Sequence, residues 1–249
     1  MFNNPFFADI STYSPKKTMS FYERIFGWKY DKTNNYFTAF SGNTVVSGLY
    51  ETPEKFKQMR MPHFWMTYIK VANLDATIDK AKQLGGIIEL NYEMNGFGKV
   101  ALIRDPQGAG FTIYEGDKLK STRTENTKNT LIWNELHVSD VTKIIPFYEG
   151  IFNWQIVQNI NGIYEVLNNE GEYIVDIMEI QNQYKGKYEY WACTFGVDNL
   201  EKSKKVILEN DGHLINNESN RILFTDNSNE AFFFIKEVKS YIKGSSKNI

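Results

Sequence analysis

Apolar and polar residues recur along this chain with two different periods. Phe6 to Ser11 is a short apolar run and predicts a strand. Ser14 and Pro15 follow, suited to cap and open a helix. Met19, Tyr22, Ile25 and Phe26 then recur at helical spacing, and Gly27 ends the helix. Residues 35–40 and 43–51 predict a hairpin joined at Ser41-Gly42. After a loop with Pro53 and Pro62 the pattern restarts. Residues 63–71 predict a strand, and 74–84 a helix stopped by Gly85-Gly86. Residues 87–91, 99–104 and 110–115 predict three more strands. The order is β-α-β-β-β, twice.

The whole pattern then returns. Phe21-Tyr22-Glu23-Arg24-Ile25-Phe26-Gly27-Trp28 reappears as Phe147-Tyr148-Glu149-Gly150-Ile151-Phe152-Asn153-Trp154. Val71-Ala72-Asn73-Leu74-Asp75 reappears as Val197-Asp198-Asn199-Leu200-Glu201, and Leu102–Asp105 as Leu223–Asp226. Self-similarity on this scale marks a duplicated unit. It predicts one domain over 1–117, a polar linker over 118–128, a second domain over 129–238 and a frayed tail over 239–249. Helices on one face of a mostly antiparallel sheet give an α+β architecture, with the other face free to curl into a cup.

Composition narrows the class. The 249 residues carry a formal charge of −2, which gives no footprint for nucleic acid. No run reaches the ~20 apolar residues that would span a bilayer, and the N-terminus has no secretory pattern. A cytoplasmic protein is the expectation. The single Cys193 excludes an internal disulfide and reads as an inert buried thiol.

The repeated Phe-Tyr-x-x-Ile-Phe-x-Trp box, the Val-x-Asn-Leu-(Asp/Glu) motif and the Arg104-Asp105-Pro106-Gln107-Gly108 turn resemble the vicinal oxygen chelate superfamily. That superfamily holds glyoxalase I, bleomycin-resistance proteins and extradiol dioxygenases. The resemblance implies two tandem glyoxalase-like domains, each of two βαβββ units. It is similar to a two-domain glyoxalase-like subgroup. It also implies a divalent metal in the cup, held by His or Gln on a domain's first strand, Glu or His on the strand opening its second unit, and Glu on its last strand.

Carried onto this sequence, those positions fall on Phe7, Met66 and Thr112 in the first domain, and on Trp133, Ala192 and Phe233 in the second. None is a ligand for a hard divalent ion. A fourth family position falls near Gly48 and Asp176. The expectation is therefore a metal-free chain without glyoxalase I or dioxygenase activity. Phe7, Met66, Tyr68, Thr112, Tyr114, Trp133, His137 and Phe233 are candidates to line a ligand site, with Lys70, Thr194 and Ile235 on the same strand parity.

Two carboxylates repeat. Phe7, Asp9 and Ser11 align with Trp133, Glu135 and His137, and alternation puts each trio on one face. A carboxylate buried in a cup is costly unless paired, and its pKa rises, so Asp9 and Glu135 are candidate general bases. The plainer reading gives them a scaffold role, with Glu135 and His137 a bonded polar pair. His63 and His213 read as surface or capping residues.

Function follows as an expectation: a protein that encloses a small, partly aromatic molecule, as the superfamily's drug-sequestering members do. The alternative is an enzyme. It is either a lyase or isomerase using Asp9 or Glu135, or a metalloenzyme with one divalent ion near Glu135, His137 and Asp176. A third reading, a structural module with filled cups, predicts no ligand pocket. Because family relatives pair their units side by side, the tandem fusion is compatible with a monomer as well as a homodimer.

Overall fold

In the computed structural model, residues 2–94 and 96–239 are described. The tail expected over 239–249 lies outside them but for its first residue.

The first domain runs β1 (Pro5–Thr12), α1 (Pro15–Phe26), β2 (Lys29–Thr33), β3 (Tyr36–Ser41), β4 (Thr44–Glu51), α2 (Glu54–Gln58), β5 (Phe64–Lys70), α3 (Leu74–Gln83), β6 (Ile87–Met94), β7 (Gly98–Arg104) and β8 (Gly110–Glu115). The second runs β9 (Leu131–Val138), a short 3-10 turn, α4 (Ile145–Phe152), β10 (Gln155–Gln158), β11 (Tyr164–Leu167), β12 (Tyr173–Glu179), β13 (Tyr190–Val197), α5 (Leu200–Glu209), β14 (His213–Asn217), β15 (Arg221–Thr225) and β16 (Phe232–Glu237). Each domain is one eight-stranded sheet. The orders are β2-β3-β4-β1-β5-β8-β7-β6 and β10-β11-β12-β9-β13-β16-β15-β14. The α+β architecture of two tandem glyoxalase-like sheets is thus the observed one.

Three local expectations need correction. Ser14 makes no side-chain cap; its amide is held by Thr12 Oγ1 at 3.1 Å, and Pro15 alone sets the helix start. The strand β2, which the β-α-β-β-β order requires but the apolar pattern does not place, is mostly exposed and polar, and its counterpart β10 is mostly exposed. The short α2 lies in the segment read as a loop.

Neither domain completes its own core. Tyr22, Phe26 and Trp28 of the first domain pack with Phe195, Phe224 and Phe233 of the second. Ile78, Ala81 and Phe111 of the first pack with Tyr148, Phe152 and Trp191 of the second. The helix-bearing faces of the two sheets therefore cover each other, α1 near α5 and α3 near α4. Matching bonds tie the copies together. Trp28 Nε1 donates to the Asn129 carbonyl at 2.8 Å, and Trp154 Nε1 to the Asn3 carbonyl at 2.7 Å. Tyr148, which accepts from Trp191 Nε1 at 3.2 Å, donates across the interface to Asp105 Oδ2 at 3.1 Å. At the centre the equivalent residues Thr67 and Cys193 touch, at 4.0 Å. Cys193 is buried, and burial pushes its thiol up to about 12, as suits an inert thiol.

Two predictions follow from this shared core. Residues 1–117 expressed alone will fail to give a cooperative monomer, because α1 and α3 lose the surfaces that cover them; size-exclusion chromatography and near-ultraviolet circular dichroism test this. Gly86→Ala will cost about 1–3 kcal/mol of unfolding free energy in denaturant titration. Its Cβ would stand 2.7 Å from Phe147 Cε2 and 3.0 Å from the Ala81 carbonyl oxygen.

Candidate functional site

The faces of β1 and β9 opposite the shared core form the two cups. In the first, Asp9 sits mid-strand, opposite Gly48 on β4 and Met66 on β5. It is 1% exposed. Tyr36 Oη donates to Asp9 Oδ2 at 3.0 Å, and Tyr68 Oη donates to the same atom at 2.9 Å. Gly48 makes the first bond possible: a Cβ there would stand 1.8 Å from Tyr36 Oη. Asp9 Oδ1 is buried with no hydrogen-bond partner among the described residues. Burial raises the Asp9 pKa to about 7, against the lowering effect of the two tyrosines. A proton on Asp9 belongs on Oδ1, since Oδ2 already accepts twice. Burial, and next the Asp9 charge, push the phenols of Tyr36, Tyr50 and Tyr68 well up, so they stay neutral donors. Tyr92 lies close enough to feel the same charge.

The expected lining residues share this cup, with different tasks. Phe7 meets Tyr68 edge-on at 5.4 Å. Met66 packs with Phe56, Leu102 and Tyr68. Thr112 is buried beside Tyr68 on the next strand. The Tyr114 hydroxyl is engaged by the chain: it donates to the Phe97 carbonyl and accepts from the amides of Lys118 and Leu119 at 3.1 and 3.0 Å. Lys70 is tied to Asp117 at 3.0 Å.

The second cup is neutralised differently. Glu135 Oε1 is paired with Arg221 of β15, whose Nε also meets Glu218 at 2.6 Å. Glu135 Oε2 lies 3.4 Å from His137 Nε2, in ion-pair range but misaligned for a hydrogen bond. The bonded Glu135–His137 pair expected from sequence is therefore a near contact. Burial pushes the Glu135 carboxyl up, yet His137 and Arg221 outweigh it and hold it below the usual range. A carboxylate so held is a poor base, which removes the case for Glu135 in that role. Asp176, opposite Glu135 in register, accepts from Trp133 Nε1 at 2.8 Å and from the Tyr173 hydroxyl. The His137 ring stacks on Tyr190 at 4.8 Å.

Phe233, expected in this cup, faces the shared core against Phe21 and Tyr22. Thr194 pairs with Phe234 as Tyr68 pairs with Thr112, so Phe234 is the true counterpart of Thr112. The sequence alignment slipped by one residue, which inverts the face. Ile235 lies in the shared core with Phe233, while Thr194 is buried opposite Trp133. Of the other histidines, His213 is exposed. His63 is largely enclosed: it contacts Thr12 Oγ1 at 3.2 Å, accepts from the Tyr13 amide at 3.4 Å, and its amide donates to Glu230.

The residues at the superfamily's ligand positions are thus Phe7, Met66 and Thr112, and Trp133, Ala192 and Phe234. They do not fit a divalent metal, since only Thr112 offers an oxygen, and that one is neutral. Two of the alternative trio are engaged elsewhere: Arg221 holds Glu135, while Trp133 and Tyr173 hold Asp176. Among the described residues no group of three or more His, Cys, Asp or Glu could hold a metal ion. No described helix is long and apolar enough to cross a membrane.

Residues 7–113 match the family model of the Glyoxalase/Bleomycin resistance protein/Dioxygenase superfamily. The first domain belongs to this superfamily. The second is its repeat in sequence and in sheet order. The chain is 27% identical over 209 residues to "Putative glyoxylase CFP32" of Mycobacterium bovis, covering 79% of this chain and 78% of that one. It is 23% identical over 160 residues to the anthracycline biosynthesis protein DnrV of Streptomyces peucetius, covering 58% of each. Among solved structures it is similar to the homoprotocatechuate 2,3-dioxygenase of Brevibacterium fuscum, complexed with 3,4-dihydroxyphenylacetate. The TM-score is 0.62 at 11% identity, over 99% of this chain and 83% of that chain. At that identity the likeness is one of fold.

Sequence reasoning located Asp9 and Glu135 but missed Tyr36, Tyr50 and Arg221. Tyr36 reaches Asp9 through pairing across β1, β4 and β3, with Tyr50 beside it opposite Ser11, which local periodicity does not reveal. Arg221 was findable, because it continues the alternation of cup-facing Leu223 against core-facing Ile222 and Phe224.

Asp9 sets a pH signature. A carboxyl whose pKa is raised in the folded state binds its proton more tightly there. Stability is then greatest below the unfolded value of 3.8 and falls as pH rises toward 7, by on the order of 4 kcal/mol. Asp9→Asn will abolish that fall, measured by urea unfolding at a series of pH values between about 4 and 8. Glu135 acts in the opposite sense: its contribution is lost only as pH falls below the ordinary glutamate range.

Proposed function

We propose that this chain binds a small, planar, hydroxyl-bearing molecule in the cup of its first domain, without a metal. The observation that carries this reading is Asp9 Oδ1, a buried polar atom with no hydrogen-bond partner among the described residues, set among tyrosines. An orphaned buried oxygen costs about 1–3 kcal/mol, and a ligand hydroxyl placed there recovers it. The names of the relatives, "Putative glyoxylase CFP32" and an anthracycline biosynthesis protein, support a small-molecule ligand. The second cup is the weaker candidate, because Arg221 already answers its carboxylate.

A second reading is favoured by one observation. A carboxyl raised to about 7 by burial, with one oxygen unbonded among the described residues, is tuned for proton transfer. Asp9 would then serve as the base of a metal-independent lyase or isomerase, with Tyr36 and Tyr68 holding Oδ2.

Native mass spectrometry of the freshly purified protein, set against its denatured mass, tests the binding reading, with catechol as the added probe. An organic adduct or catechol binding is expected, weakened about tenfold or more in Asp9→Asn. A stoichiometric metal adduct overturns it, as does the absence of both adduct and catechol binding. Turnover assays with hemithioacetals and α-hydroxycarbonyl compounds decide the second reading. If Asp9 is the base, Asp9→Asn lowers kcat by about 10²–10⁴-fold.

A further inference from the structure

A cavity of about 320 Å³, lined by neither Asp9 nor Glu135, lies where the N-terminal segment, the end of β5, the linker and the start of β12 meet. Its walls combine Pro5, Phe6, Leu119 and Ile174 with Lys70, Asp117, Lys120 and Arg123. Lys70 and Asp117 neutralise each other at 3.0 Å, which leaves Lys120 and Arg123 as the cavity's excess charge.

Arg123 is the unusual member. It is partly buried, and its guanidinium lies 4.5 Å above the Trp133 ring. No carboxylate lies within ion-pairing distance of it among the described residues. Asp176, close enough to be felt electrostatically, already has both oxygens engaged by Trp133 and Tyr173. Burial lowers the Arg123 pKa to about 10, so the group stays charged at neutral pH. Stacking on an indole face satisfies the flat surface of a guanidinium and leaves its in-plane N–H donors for another partner. Five donors in a rigid fork match a carboxylate in bidentate geometry. The apolar wall of Phe6, Leu119 and Ile174 stands ready for the body of such a ligand, and the volume is at the lower end for a small-molecule site.

We infer that this cavity binds a small apolar carboxylate, its head on the Arg123 fork and its body against Phe6 and Leu119. Nothing in this depends on the first cup holding a ligand.

The test is calorimetric titration of the full chain at pH 8 with benzoate, and with benzamide as its neutral counterpart. At that pH the ionised Asp9 repels a carboxylate from the first cup. Benzoate is expected to bind one per chain, about tenfold or more tighter than benzamide. Arg123→Gln is expected to abolish the preference, and Arg123→Lys, which keeps the charge without the fork, to weaken it. The backbone of Arg123 is held independently of its side chain, by the Phe6 carbonyl at 3.3 Å and a bridge to Leu131, so both variants should fold. Lys120→Ala at the exposed rim supplies a third variant, expected to weaken benzoate and leave benzamide unchanged. Failure of benzoate to bind, equal affinity for benzoate and benzamide, or wild-type benzoate affinity in both Arg123 variants would overturn the assignment.

Discussion

Each sheet in this protein has one face that only the other domain can cover. The helices α1, α3, α4 and α5 are too few to bury the apolar faces of two eight-stranded sheets. The sheets therefore meet directly at β5 and β13, with the helices filling the flanks. Burial of aromatic side chains dominates such an interface, at about 25 cal/mol per Å² of apolar surface. The repeated Tyr and Trp of the two boxes supply it in both halves. Once those faces are fixed, β1 and β9 have no freedom left. Ala8 and Ile10 must point to the interface, and alternation turns Phe7 and Asp9 into the cup.

The cups share that origin and diverge in electrostatics. In one, hydroxyls surround a carboxyl and leave it near neutrality. In the other, a guanidinium and an imidazole hold a carboxylate charged. Two replacements explain much of this. The second copy carries Arg221 on the strand equivalent to that of Val100, and the hydroxyl of Tyr36 has no counterpart beyond β10. One scaffold thus presents a titrating group on one side and a fixed ion pair on the other.

The architecture was legible because duplication prints the same box twice and because core-facing positions obey their periods. Gly27, Gly85 and the Asp105 turn marked element ends for the same local reason. What escaped was non-local. Tyr36 approaches Asp9 from two strands away, over Gly48 on the strand between, and Arg221 reaches Glu135 from across the sheet. Phe233 was misplaced because three consecutive phenylalanines carry no alternation from which to fix a face. Strand pairing, with Thr194 opposite Phe234, decides that face.

The centre of the molecule carries one more consequence. Thr67 and Cys193 occupy matching places and face each other there, while Asn134 donates to Thr67 at 3.1 Å and its counterpart in the first copy is Ala8. Two identical halves would have to present the same side chain twice at that crossing point, either two asparagines crowding one space or none at all. Joining the halves in a single polypeptide removes that restriction. A polar residue can be placed on one side and its room provided by the other, so the two copies are free to become different proteins while remaining one body.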